Sequence, residues 1–140
     1  MCLHIFVKFA DTLRLWDVES GHPLQRMSTG RIERKLETTV WSVLMLNDFT
    51  VVSGDSRGKT SFWNSSNGTL LDSYQSHKGD ILSVSCNEDQ TVIYASGVDP
   101  TIVHFQSVKT GENKVRSEQK MAHAQKLAVS KKCTFFSNLH

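Results

Sequence analysis

An all-β chain of repeated antiparallel sheets is the fold class this sequence predicts, on three observations. The stretch from Val40 to Gly68, VWSVLMLNDFTVVSGDSRGKTSFWNSSNG, holds three short apolar runs separated by turn residues. Such spacing reads as an antiparallel meander. An alternating strand, an aromatic plus a polar residue, and a closing glycine occur three times, as DTLRLWDVESG, KTSFWNSSNG and TIVHFQSVKTG. The aromatics Trp16, Trp63 and Phe105 are 47 and 42 residues apart, and the glycines Gly21, Gly68 and Gly111 are 47 and 43 apart. Both landmarks share one period, close to the roughly 40–45 residues of a propeller blade. The expectation is a partial β-propeller of about two and a half four-stranded blades: a partial blade over 10–28 and blades over 40–75 and 80–118.

Taken in order, residues 1–10 have the composition of a strand but carry no blade landmark. From Thr12 to Trp16, Leu13 and Leu15 share one face and Thr12, Arg14 and Trp16 the other. A sheet stacked between two neighbours is apolar on both faces, so Leu15 and Trp16 can both be buried. Gly21 closes the following turn, where a positive φ costs glycine little. Pro23 opens an outer strand, Leu24 to Met27, which an edge position tolerates. Ser28 to Thr39 is a polar, basic loop.

Val40 to Leu46, Thr50 to Ser53, Lys59 to Trp63 and Leu70 to Tyr74 then read as one four-stranded unit. Ile81 to Cys86, Thr91 to Ala95, Thr101 to Phe105 and Val115 to Glu118 read as the next. From Lys126 the landmarks stop, so residues 126–140 are a divergent tail to a repeat region over 1–125.

Composition narrows the function classes. No apolar run approaches the ~18 residues of a membrane span. The apolar opening MCLHIFVKF is interrupted by Lys8 and lacks a charged leader and a cleavage site, which argues against a signal peptide. Cys2, Cys86 and Cys133 are an odd, scattered set with neither disulfide nor metal spacing, which favours a reducing compartment. Asn64-Ser65-Ser66 and Asn67-Gly68-Thr69 fit the glycosylation pattern but read as turn residues. A net charge of +2 is too small to argue nucleic-acid binding by itself. Basic residues gather at Arg31, Arg34 and Lys35, the candidate phosphate contacts, and again at Lys120, Lys126, Lys131 and Lys132. The six histidines have no zinc spacing, and no phosphate-cradling glycine motif occurs, so no cofactor, metal or small-molecule substrate is expected.

Trp16-Asp17 and Trp63-Asn64, each followed by a glycine, resemble the Trp-Asp signature of WD repeats. In that family a His, a Ser or Thr, an Asp and the Trp form a buried hydrogen-bonded chain. The resemblance implies a structural network from Asp11 and Trp16 in the first unit and Ser53 and Trp63 in the second. In the third it implies His77, Ser96 and Asp99, with Phe105 in place of the Trp. Phe cannot donate the indole hydrogen bond, so that chain is one link short. The second unit has Arg57 where the turn Asp would stand, and Asp55 comes two positions early. Ser96, Asp99 and His77 or His104 also invite a Ser-His-Asp hydrolase reading. It is set aside, because no G-x-S-x-G elbow is present and the same residues fit the structural network. No catalytic residue is expected.

Beyond the signature, VWSVLMLNDFTVVSGDSRGKTSFWNSSNGTLL and TVIYASGVDPTIVHFQ resemble the cirhin family, with the likeness running over about residues 11–125. The run Val103-His104-Phe105-Gln106 is the most pointed part of it. The resemblance implies a non-catalytic WD-repeat scaffold of the nucleolus, acting in the small-subunit processome on pre-ribosomal RNA transcription and processing. Its implied partners are other WD-repeat processome subunits, with direct or indirect contact to pre-ribosomal or small nucleolar RNA. A general WD-repeat adaptor, for instance in ubiquitin ligation, fits the period equally well, and an inactive truncated product is the third reading. Family members have two propellers, so the chain's extent departs from the pattern, as expected of a short product. Two and a half blades would leave an apolar face open at each end, making the chain marginal or aggregation-prone by itself.

Overall fold

The computed structural model describes residues 3–7, 12–29, 38–110 and 113–121, with side-chain surroundings for 12–29 and 38–106. The described residues form strands and turns with no helix. Strands β1 (Leu3–Val7), β2 (Thr12–Asp17) and β3 (Pro23–Ser28) make a three-stranded sheet. A four-stranded sheet follows from β4 (Val40–Met45), β5 (Thr50–Asp55), β6 (Lys59–Asn64) and β7 (Leu70–Gln75). The third sheet, also of four strands, runs through β8 (Ile81–Cys86), β9 (Val92–Gly97), β10 (Ile102–Thr110) and β11 (Asn113–Met121). Every pairing is antiparallel and joins strands adjacent in sequence. The architecture is a partial, propeller-like stack, as the repeat implies. Leu3–Val7, which carries no landmark, pairs along β2 and gives the first sheet its third strand.

Trp16 and Trp63 occupy matching places in their sheets. Each follows a register shift, between Leu15 and Trp16 against β3 and between Phe62 and Trp63 against β7. Trp63 lies opposite Val51 and Phe105 opposite Ile93, so β10 stands to β9 as β6 stands to β5. The polar residue after each tryptophan folds the hairpin. Asp17 accepts hydrogen bonds from the Glu19 amide (3.1 Å) and the Ser20 hydroxyl (2.6 Å). Asn64 accepts one from the Ser66 amide (2.9 Å), and Asn67 one from the Thr69 amide (3.1 Å), the turn roles read from the sequence. In the third unit Gln106 follows the aromatic, and its longer side chain does not make that local turn. There β10 runs on to Thr110 before the chain reverses.

Two apolar layers hold the sheets together. Leu13, Leu15 and Met27 of the first sheet pack on Val40, Val51 and Trp63 of the second. Leu46, Val52 and Phe62 of the second pack on Ile81, Val84, Ile93, Ala95, Val103 and Phe105 of the third. In that layer Phe62 meets Phe105 edge-on at 5.4 Å, and Tyr74 lies 5.2 Å from Phe105. Burial of these side chains at about 25 cal/mol per Å² is what makes stacking favourable.

The expectation of an apolar face at each end needs correction at the third sheet. Cross-strand pairing puts Ser83 with Ser96, Ser85 with Tyr94, and Tyr94 with His104 on the face turned away from the second sheet. The matching positions of the second sheet are Ser42, Gly54, Leu44, Val52 and Phe62. Leu44, Val52 and Phe62 have thus become Ser85, Tyr94 and His104. Val92 and Ile102 share that face, where the second sheet has Thr50 and Thr60, so the face is mixed in character and less apolar than its counterpart only at Ser85, Tyr94 and His104.

Candidate functional site

Polar groups converge where the second and third sheets meet. Asp55 ends β5 and is buried. Its carboxylate accepts the amides of Arg57 (2.9 Å) and Lys59 (3.0 Å), closing the turn into β6. This is the place that the sequence reading left open between Arg57 and Asp55, and Asp55 holds the turn. Burial pushes its carboxyl above the ordinary 3.8, outweighing the two amides and the charges of Lys59 and Arg57. Asp99 does the equivalent work between β9 and β10, accepting the Thr101 amide (2.7 Å) and the Lys78 amide (3.2 Å). There burial raises the carboxyl, but these hydrogen bonds and the nearby His77 together bring it below its ordinary value.

His77, buried in the connection between β7 and β8, ties the two sheets. Its Nε2 lies 3.0 Å from the Thr101 carbonyl, which can only accept, so Nε2 carries the proton. Nδ1 lies 2.9 Å from Ser76 Oγ, which is also 3.3 Å from the Gly58 carbonyl oxygen. Ser76 in turn sits 2.9 Å from Thr60 Oγ1. This chain of Thr60, Ser76, His77 and Thr101 fixes the connection against both sheets. The sequence reading had only His77. Ser76, directly before it, and Thr60, alternating with Phe62, were the available signals.

The indole Nε1–H of Trp63 donates to Ser53 Oγ at 3.0 Å within the second sheet. In the third sheet the matching pair is Phe105 and Ala95, because Ser53 lies opposite Ser61 as Ala95 lies opposite Val103. Ser96, expected to stand in that network, is one residue further on and on the other face of the strand. Donor and acceptor are therefore lost together, and neither is left as a buried orphan. Trp16 is half-buried, on the face of β2 turned away from the second sheet. Asp11 and the cluster Arg31, Arg34 and Lys35 lie outside the described residues.

These contacts leave Ser96, Asp99 and His77 without the geometry of a catalytic relay. Both ring nitrogens of His77 are taken by Ser76 and Thr101. The Asp99 carboxylate holds backbone amides. Burial pushes the Cys86 thiol up, away from a reactive thiolate. Among the described residues no three His, Cys, Asp or Glu side chains gather as metal ligands would.

The same end of the sheets exposes large apolar side chains beside the charged Lys78. Register shifts at Val40/Ser42 and Ile81/Ser83 expose Trp41 and Leu82 at corresponding places. Val98, in the turn after β9, is exposed beside them, in contact range of a Cβ at Gly79. The Trp41 Nε1–H donates to Asp80 Oδ2 at 3.1 Å, bridging the second sheet to the start of the third.

Asp55 yields a test. A carboxyl raised in the folded state favours folding while protonated, so its contribution falls as pH rises from 3.8 through the folded value. Asp55→Asn keeps an acceptor for the turn amides without the charge. Its melting temperature relative to the parent is expected to climb between about pH 3 and about pH 7. Asp55→Ala strands both amides and is expected to cost about 2 kcal/mol or more at any pH. Thermal unfolding across that pH range checks both; parallel curves for parent and Asn variant would contradict the assignment.

No known family profile matches the chain. Individual relatives do. Over 113 residues it is 32% identical to the human protein named U3 small nucleolar RNA-associated protein 4 homolog, an overlap of 79% of this chain and 16% of that protein. Over 99 residues it is 31% identical to U3 small nucleolar RNA-associated protein 4 of Saccharomyces cerevisiae, covering 66% of this chain and 13% of the yeast protein. The Schizosaccharomyces pombe protein of the same name is 28% identical over 95 residues. The chain spans about a sixth or less of the length of these curated relatives.

Proposed function

We propose that this chain, a relative of the proteins named U3 small nucleolar RNA-associated protein 4, serves as a non-catalytic scaffold segment in small-subunit ribosomal RNA maturation. The similarity over 113 residues is the observation that carries the reading. The structure supports the non-catalytic half of it. The buried Asp55, Ser76 and His77, with Asp99, spend their hydrogen-bonding capacity on turns and on joining sheets. Exposed Trp41, Leu82 and Val98 are positioned for protein contact. The partners on this reading are other WD-repeat subunits of a small nucleolar RNA-associated particle, and the location is the nucleolus. Arg31, Arg34 and Lys35 remain the candidates for phosphate contact.

Affinity purification of the tagged chain from cells, with quantitative mass spectrometry, tests the proposal. Processome subunits and U3 small nucleolar RNA are expected to be enriched at least about ten-fold over an unrelated repeat protein, the scale of a specific contact worth about 1.4 kcal/mol. Enrichment of ubiquitin-ligase subunits instead would support the general-adaptor reading and overturn this one.

A further inference from the structure

We propose that the overhanging end of the β10–β11 hairpin docks on the phosphate backbone of an RNA strand through Lys109, Lys114 and Arg116. The proposal rests on the RNA-maturation reading for its choice of RNA and adds a contact away from the rim of Trp41, Leu82 and Val98. In the second sheet β6 ends at Asn64, directly opposite Thr50, the first residue of β5, and the chain turns there. In the third sheet β9 begins at Val92, opposite Gln106, yet β10 runs on to Thr110. Ser107, Val108, Lys109 and Thr110 pair with Arg116, Val115, Lys114 and Asn113 of β11, and among the described residues no strand pairs with them on the other side. A two-stranded ribbon about 14 Å long, from residues at roughly 3.4 Å each, therefore stands beyond the end of β9.

The register gathers charge on that ribbon. Lys109 stands opposite Lys114, and Arg116, two positions along from Lys114, stands opposite Ser107. Alternation places all three cations on one face, with Val108, Thr110, Asn113 and Val115 at the positions of the other. Glu118, the acidic residue of β11, stands opposite Phe105 within the sheet, and Glu112 lies outside the described residues. Paired positions on one face are about 5 Å apart and alternate ones about 7 Å, close enough for neighbouring phosphates of one strand to meet the three cations together. Like charges at paired positions disfavour the hairpin, a cost that a bound polyanion removes.

The competing occupants fit less well, because the cations lie on a face of the ribbon and come from both of its strands. An acidic protein segment added as a strand at the free edge of β10 would neighbour Lys109 alone, and one at the edge of β11 only Lys114 and Arg116. A nucleic-acid backbone lying across the face meets all three. A second copy laid ribbon to ribbon would set like charges together.

Fluorescence anisotropy of a labelled oligouridylate with the purified full chain, over a series of salt concentrations, tests this. Three phosphate contacts on a single strand contribute a slope of about −2 in log affinity against log salt. The triple variant Lys109→Gln, Lys114→Gln, Arg116→Gln is expected to flatten the slope by about that amount and to bind at least about ten-fold more weakly at the lowest salt. Its melting temperature is expected to match the parent's, because the ribbon runs past the end of β9. Should the triple variant not fold, Lys114→Gln alone is expected to flatten the slope by about 0.7. Arg26→Gln with Lys78→Gln, exposed positions in the first sheet and at the other end of the third, controls for net charge and is expected to leave the slope unchanged. No binding of oligouridylate, a slope that the ribbon variants leave unaltered, equal weakening by the control, or polyglutamate held as tightly through the same three residues would each overturn it. The measurement needs no cellular particle, so its failure is distinguishable from failure of the co-purification.

Discussion

Phe62→Ala is expected to cost about 3–5 kcal/mol, the range for truncating a fully buried aromatic in a packed core. Phe62 is completely enclosed between the second and third sheets. Its ring meets Phe105 edge-on at 5.4 Å and Tyr74 edge-on at 6.0 Å. The substitution removes both aromatic contacts and leaves a void that the rigid strands on either side cannot close. Small domains hold only about 5–15 kcal/mol in total, so the variant is expected to lose much of its cooperative transition. Urea unfolding followed by circular dichroism gives the number, with Phe62→Leu as a milder control expected to cost about 1.5 kcal/mol or less. A cost below about 1 kcal/mol for the alanine variant would mean that the two sheets do not pack through this ring.

Gly58→Ala is expected to be comparably damaging, through the backbone. Gly58 has φ +78°, and a Cβ there would collide with the His77 carbonyl oxygen and stand 2.9 Å from that of Gly79. Its own carbonyl accepts the amides of Ser76 and His77, each at 3.0 Å. Moving the turn aside to admit a methyl group therefore breaks the bonds that seat His77 between the sheets. The expected loss is about 3 kcal/mol or more, combining the left-handed penalty with the displaced network. Gly21 gives the contrast. It has φ +68° with nothing within 4 Å of a Cβ, so Gly21→Ala bears only the conformational penalty of about 1–2 kcal/mol. Equal melting temperatures for the two variants would contradict the account.

Gly21 and Gly68 mark the repeat in the sequence, yet Gly58 is the crowded position. Gly21 and Gly68 recur because each ends a hairpin of the same length, a local requirement, while Gly111 lies outside the described residues. Gly58 is demanded by a connection some twenty residues further along, which no local pattern reports. The same division runs through the polar residues. Asp17 and Asn64 fold turns with residues two or three positions on, and their place after an aromatic is readable. Ser53 and Trp63 are ten residues apart on neighbouring strands, so a register guess was enough to pair them. Ser96 was placed one residue off because Ser96-Gly97 mimics Ser53-Gly54, whereas pairing with β10 puts Ala95, ten residues before Phe105, where Ser53 stands ten before Trp63.

Apart from the place of β1 in the first sheet and the full length of β10 and β11, the strands, their order and the equivalence of Trp16, Trp63 and Phe105 were legible in the sequence alone. Alternation, turn chemistry and a shared period are properties of contiguous residues. Which polar groups meet, which glycine is crowded, and the conversion of an expected apolar face into one bearing Ser85, Tyr94 and His104 were decided by the tertiary structure. Those outcomes depend on the register and spacing of strands from different parts of the chain. A shift of a single residue there moves a side chain from one face of a sheet to the other.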